Sequence, residues 1–138
     1  MTPPVQQPIA LVVHGHFYQP PRENPWTDEI AREPSAAPAH DWNARIHAEC
    51  YRANAFARIN NSEGRIEAIV NNYARLSFNF GPTLARWIER HDDRTHARLQ
   101  VADDEQRRRL GHGGGLAQAY AHPIVPLCNA QDRHTQLL

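Results

Sequence analysis

The chain has 138 residues, 41% of them apolar, and a mean hydropathy of −0.69. Fifteen basic residues, every one an arginine, balance fifteen acidic ones, which argues against general nucleic-acid binding. No apolar run approaches the roughly 18 residues of a membrane span, and the start "MTPPVQQPIALVVHG" has no basic segment before its short apolar run. Neither an anchor nor a signal peptide is expected, and the default compartment is the cytoplasm.

Residues 1–8 carry three prolines and two glutamines and read as a disordered lead-in. Ile9 to Val13 is a continuous aliphatic run that suits a strand buried on both faces of a parallel sheet. Residues 19–42 hold five prolines and form a long loop, functional or disordered by its length. A helix is expected from Asp41 or Asn43 to about Ile59, with Ile46, Cys50, Ala53 and Ala57 at helical spacing. "NNSEG" (Asn60 to Gly64) is a turn. Arg65 to Val70 fits a short strand or a helix, and Leu76 to Phe80 alternates as a strand does. Pro82 opens a helix with Leu84, Trp87 and Ile88 on one face. A second, charged helix covers roughly Asp93 to Leu110, with Arg107, Arg108 and Arg109 as a solvated face, and "GHGGG" ends it. Ile124 to Leu127 is a last apolar run before a polar tail. Cys50 and Cys128 are too few for a disulfide framework and read as free buried thiols.

Strand, loop, helix, strand, helix in that order predicts an α/β fold with parallel strands and flanking helices. Too few strands are present to close a barrel or complete a large sheet. The expectation is therefore the N-terminal portion of something longer, with residues 9–138 as its domain.

His14 and His16 are two residues apart, so along a strand they point to the same side. At the C-terminal end of a parallel strand that side is where α/β enzymes build their sites. Neutral imidazoles offer one donor and one acceptor each and suit a polar substrate; a pair can also take zinc. Tyr18, Trp26 and Trp42 follow in the loop, where aromatic faces suit sugars. Gln19 sits on a backbone stiffened by Pro20 and Pro21. In "GHGGGLAQAYAHPIVPL" the glycines around His112 permit close approach of backbone to a ligand, and His122 precedes a proline. His14, His16, His112 and His122 could converge from two strand ends. The carboxylates of the long loop show no marked pair of the kind glycoside hydrolysis uses.

"HGHFYQPPRENPW", "HDWNARIHAECYRANAFARI", "IVNNYARLSFNFGPTL" and "GHGGGLAQAYAHPIVPL" together resemble the N-terminal region of glycoside hydrolase family 57, in its α-amylase or α-mannosidase-like branch. The resemblance implies an incomplete seven-stranded β/α barrel acting on α-glucans with retention and without a metal or other cofactor. It implies that His14-Gly15-His16 through Gln19-Pro20 is the first family motif, and that His122-Pro123 with Pro126-Leu127 belongs to the second. Both line a sugar pocket, which implies His14, His16, Tyr18, Gln19 and His122 as substrate-binding residues, and the loop aromatics and glycine-rich segment add Trp42 and His112 as candidates. The sequence departs from the family twice. Tyr18 stands before Gln19-Pro20 where the usual motif has histidine, and Gly114 stands where a glutamate is usual. The family's catalytic glutamate and aspartate belong to motifs that would follow the last residue here, so none is implied in this chain. The rival readings are a zinc-dependent carbohydrate deacetylase with His14, His16 and His122 as ligands, and a non-catalytic carbohydrate-binding module. The implied partner is an α-glucan or oligosaccharide, with no nucleic acid and no membrane.

Overall fold

A computed structural model describes residues 9–137. The segment expected as a disordered lead-in lies outside these. The protein is mixed α/β. β1 (His14–Phe17), β4 (Ser77–Phe80) and β5 (Gly115–Leu116) form a three-stranded sheet in the order β1-β4-β5, and both pairings are parallel. A separate antiparallel hairpin pairs β2 (Ala57–Asn60) with β3 (Ile66–Val70). Among the described residues no helix is long and apolar enough to cross a membrane.

The first strand is displaced from the aliphatic run that predicts it. β1 starts at His14, while Ile9 is fully exposed and Val12 is 80% exposed. The cause lies in the neighbour. Upstream of β4 the chain turns through a short 3-10 segment, Asn72–Ala74, so Ile9 to Val12 have no strand to pair with. Only the Val13 carbonyl gains a partner, the Ser77 amide at 3.1 Å. The sheet is also packed on one face only. Phe17, Phe78 and Phe80 point into the core, whereas His14, His16, Ser77 and Asn79 alternate onto the other side.

The expected helix up to Ile59 ends sooner. α1 (Trp42–Ile46) is capped by Asp41, whose Oδ1 accepts from the Ala44 amide at 2.9 Å. A π-helical turn, His47–Tyr51, leads to α2 (Arg52–Ala55). The Ala55 carbonyl is taken by Arg98 Nε at 2.9 Å instead of by a following helical amide, and the chain enters β2. Asn61 Oδ1 then accepts from the amides of Glu63 and Arg65, both at 3.0 Å, and Gly64 adopts φ +77, closing the hairpin.

α3 (Pro82–His91) starts on proline and buries Leu84, Trp87 and Ile88, as its spacing predicts. α4 (Asp93–Leu110) is capped by Asp92 and ends at Gly111 with φ +82, which only glycine adopts cheaply. Arg107 pairs with Asp103 and Asp104 on the solvated face, while Arg109 reaches inward to the Ala74 carbonyl. α5 (Ala130–Leu137) follows the last apolar run.

Two buried clusters make the core. One joins Ala55, Tyr73, Ala74, Phe78, Leu99 and Ala102; the other joins Tyr51, Leu84, Trp87 and Ile88. Phe17 packs against both, edge-on to Tyr51 and Tyr73 at 5.9 and 5.3 Å between ring centres. Burial raises the phenol pKa of both tyrosines, a Gln19 hydrogen bond partly offsetting it at Tyr51. Cys50 and Cys128 are free thiols, but half-buried, not fully enclosed.

The long loop is ordered by its own polar network. Arg22 donates to Glu33 at 2.7 Å, to Asn43 at 3.1 Å and to Gln19 at 3.3 Å, and Glu33 also receives the Trp42 amide. The 3-10 turn Pro34–Ala36 seats a fully buried Ala36. This loop therefore frames the C-terminal end of β1.

Candidate functional site

At the C-terminal end of the parallel sheet, register sets the site. His16 lies opposite Asn79, and Asn79 lies opposite Leu116. His16 Nδ1 donates to Asn79 Oδ1 at 2.8 Å, and Asn79 Nδ2 donates to Gln118 Oε1 at 2.6 Å. His122 enters from the segment after β5, and its Nε2 meets His16 Nε2 at 2.8 Å. The two imidazoles are 4.8 Å apart between centres, and Tyr18 stacks on His122 at 4.4 Å. Tyr18, His16 and His122 thus form a row of rings on a base of amide side chains.

His122 is held at φ +53, a left-handed backbone rare for a residue with a side chain. Such strain costs of order 1–3 kcal/mol and collects at functional sites. The turn is closed by the His122 amide donating to the Ala119 carbonyl at 3.2 Å. Gly81 is the floor. A Cβ there would sit 2.7 Å from Tyr18 Cδ2 and 3.0 Å from Gln118 Nε2, so glycine is what lets both side chains lie across it. Gln118 Nε2 is buried without a partner among the described residues, and its side chain also lines a cleft of about 420 Å³ with Pro82, Tyr120, Thr135 and Gln136.

The other residues expected at the site are placed differently. His14 points to the same side as His16, one step earlier, with Nδ1 3.0 Å from Ser77 Oγ. Gln19 lies beneath Tyr18; its amide donates to Tyr51 Oη at 3.0 Å and accepts from Arg22, while Thr83 holds its carbonyl at 2.6 Å. Trp42 is engaged locally, its indole donating to Ser35 at 3.0 Å with the Arg45 guanidinium 4.9 Å over the ring. Exposed Trp26 stands free of the row. His112 precedes β5, so the parallel pairing puts it at the opposite end of the sheet, with Nδ1 3.1 Å from the Gly113 carbonyl. The glycines beside it face α4. A Cβ on Gly113 would collide with Asp103 and one on Gly114 with Gln106, and Asp103 Oδ1 accepts the Gly115 amide at 2.9 Å.

Sequence reasoning did not single out Asn79 or Gln118. The alternation of "SFNF" carries a signal for Asn79, because residues two apart share a face and Asn79 follows Ser77 onto the side of the histidines. Nothing comparable marks Gln118.

The arrangement offers hydrogen bonding and ring contact. Among the described residues no three His, Cys, Asp or Glu side chains are gathered to hold a metal ion. No family model, curated protein or solved structure matches the chain.

Proposed function

We propose that the chain is the N-terminal, sugar-binding part of a carbohydrate-active enzyme resembling glycoside hydrolase family 57, a retaining hydrolase or glucanotransferase on α-glucans. His16, His122 and Tyr18 contact the sugar, and the catalytic carboxylates are supplied from outside these residues. The observation that carries the proposal is the row of Tyr18, His122 and His16 at the C-terminal end of parallel strands. Rings there offer faces to sugar C–H groups and nitrogens to hydroxyls. The one-sided packing supports a barrel segment, since helices cover the phenylalanine face and the histidine face is the one a β/α barrel turns inward. The zinc hydrolase reading has less support, because among the described residues no three His, Cys, Asp or Glu side chains converge. The substrate is then an α-glucan or oligosaccharide, and the compartment the cytoplasm.

Calorimetric titration with maltooligosaccharides, with and without chelator, tests this. Chelator-independent binding that prefers α-glucans is expected. Failure to bind any oligosaccharide up to millimolar concentrations overturns the proposal, and binding that depends on added zinc favours the hydrolase rival.

A further inference from the structure

We infer that Asn79 and Gln118 are positioning residues that fix the protons of the histidine pair, so that the pair accepts a neutral hydroxyl and discriminates against cations and anions. The inference rests on the sugar-site proposal for its ligand, but not for its geometry. Asn79 Nδ2 donates to Gln118 Oε1 at 2.6 Å, which commits the amide's nitrogen end to Gln118 and turns its oxygen to His16. Asn79 Oδ1 can only accept, so the contact at 2.8 Å requires the proton on His16 Nδ1. In the neutral ring that leaves His16 Nε2 with a lone pair. The nitrogen facing it at 2.8 Å, His122 Nε2, must then carry the hydrogen.

The pair is therefore directional: His122 donates and His16 accepts. A ligand that separates them must replace both halves, taking a hydrogen bond from His122 and giving one to His16. A hydroxyl does both through a single oxygen. An ammonium has no lone pair for His122, and a fully ionised phosphate or carboxylate has no hydrogen for His16. A site that pairs fully with one group and leaves a rival half-paired discriminates against the rival. Tyr18, stacked on His122, holds that donor in place. No bond is made or broken in this step; one hydrogen bond between the rings is exchanged for two to the hydroxyl.

Nitrogen-15 NMR of the histidine rings, at about pH 8.5 where imidazoles are ordinarily neutral, tests it directly. The expected spectrum shows His16 protonated at Nδ1 and His122 at Nε2. Asn79→Ala should release His16 to the Nε2-protonated form. Asn79→Asp, which keeps an acceptor in the same place, should retain the Nδ1 proton, a rescue that a packing role alone does not give. Maltotriose should shift the Nε2 signals of both rings, and acetate or tetramethylammonium at equal concentration should not. His16 found as the Nε2–H form, or reversed by Asn79→Asp, overturns the assignment whatever the sugar does. The expected protonation with no response to any sugar upholds the positioning role and overturns the sugar-site proposal. A response to acetate equal to that of maltotriose overturns the discrimination.

Discussion

Replacing Asp92 with alanine should destabilise the protein by about 2–4 kcal/mol at neutral pH, the sum of a lost cap and a stranded buried donor. Asp92 Oδ1 accepts the Thr95 amide at 3.1 Å as the cap of α4, and such caps are worth roughly 1 kcal/mol. Oδ2 accepts from His47 Nε2 at 3.0 Å and from Thr95 Oγ1 at 2.8 Å. His47 and Thr95 are buried, so stranding their donors costs roughly 1–3 kcal/mol. Arg52 also donates to Oδ2, at 2.6 Å, but is half exposed and regains water, so it adds little. Burial of the carboxyl opposes its ionisation, yet the hydrogen bonds from His47, Thr95 and Arg52 outweigh burial and hold its pKa well below the ordinary 3.8. Because the folded value is the lower one, this stability is fully present above the ordinary value and is lost as pH falls below it. Urea unfolding of wild type and Asp92→Ala at pH 7 and in steps below pH 4 reads both effects. The gap between the two proteins should narrow on acidification. A gap under about 0.5 kcal/mol at neutral pH, or one that widens in acid, refutes the reasoning.

Gly81→Ala leaves an allowed backbone, φ −58, but pushes on Tyr18 and Gln118; a loss of about 1–3 kcal/mol with weakened maltooligosaccharide binding is expected by thermal melt and calorimetry. Unchanged binding in a destabilised variant would detach Tyr18 from the site. Gln106 donates to the Tyr73 and Leu76 carbonyls at 2.7 and 2.9 Å, so Gln106→Leu strands both and should cost about 2–4 kcal/mol in urea unfolding. The 138-residue chain alone should not turn over starch or aryl α-glucosides; sustained hydrolysis by pure protein contradicts the assignment of the catalytic carboxylates to segments outside it.

Helical spacing and end signals were legible where neighbours reinforced them. Leu84, Trp87 and Ile88 gave one face of α3, and Gly111 marked the end of α4. The strand at Leu76 to Phe80 was legible from its alternation. The aliphatic run Ile9 to Val13 misled because a strand requires a neighbour, and its neighbour had already turned away at Asn72–Ala74. β2 was hidden inside an apparent helix, because the stop is a distant arginine taking the Ala55 carbonyl and no local breaker residue announces it. At the site, the type and spacing of His14 and His16 drew attention to the end of β1, and the His-Pro pair at residues 122–123 to the segment that meets it. Which histidines meet was not legible. Register decides that, bringing His122 to His16 and leaving His112 at the other end of the sheet. Asn79 and Gln118 were invisible as a pair because 39 residues separate two ordinary amides that touch only when β4 and β5 align.

The most direct measurement is a double-mutant cycle on oligosaccharide affinity by calorimetry, with His16→Ala, His122→Ala and His112→Ala singly and in pairs. If the rings of His16 and His122 grip one sugar hydroxyl, each single change should weaken binding by roughly 10- to 100-fold, and the pair should show a coupling of about 0.5–3 kcal/mol. His112→Ala should leave affinity unchanged and add nothing to either. Full affinity in His16→Ala and His122→Ala, or strict additivity between them, would contradict a sugar site at the end of β1.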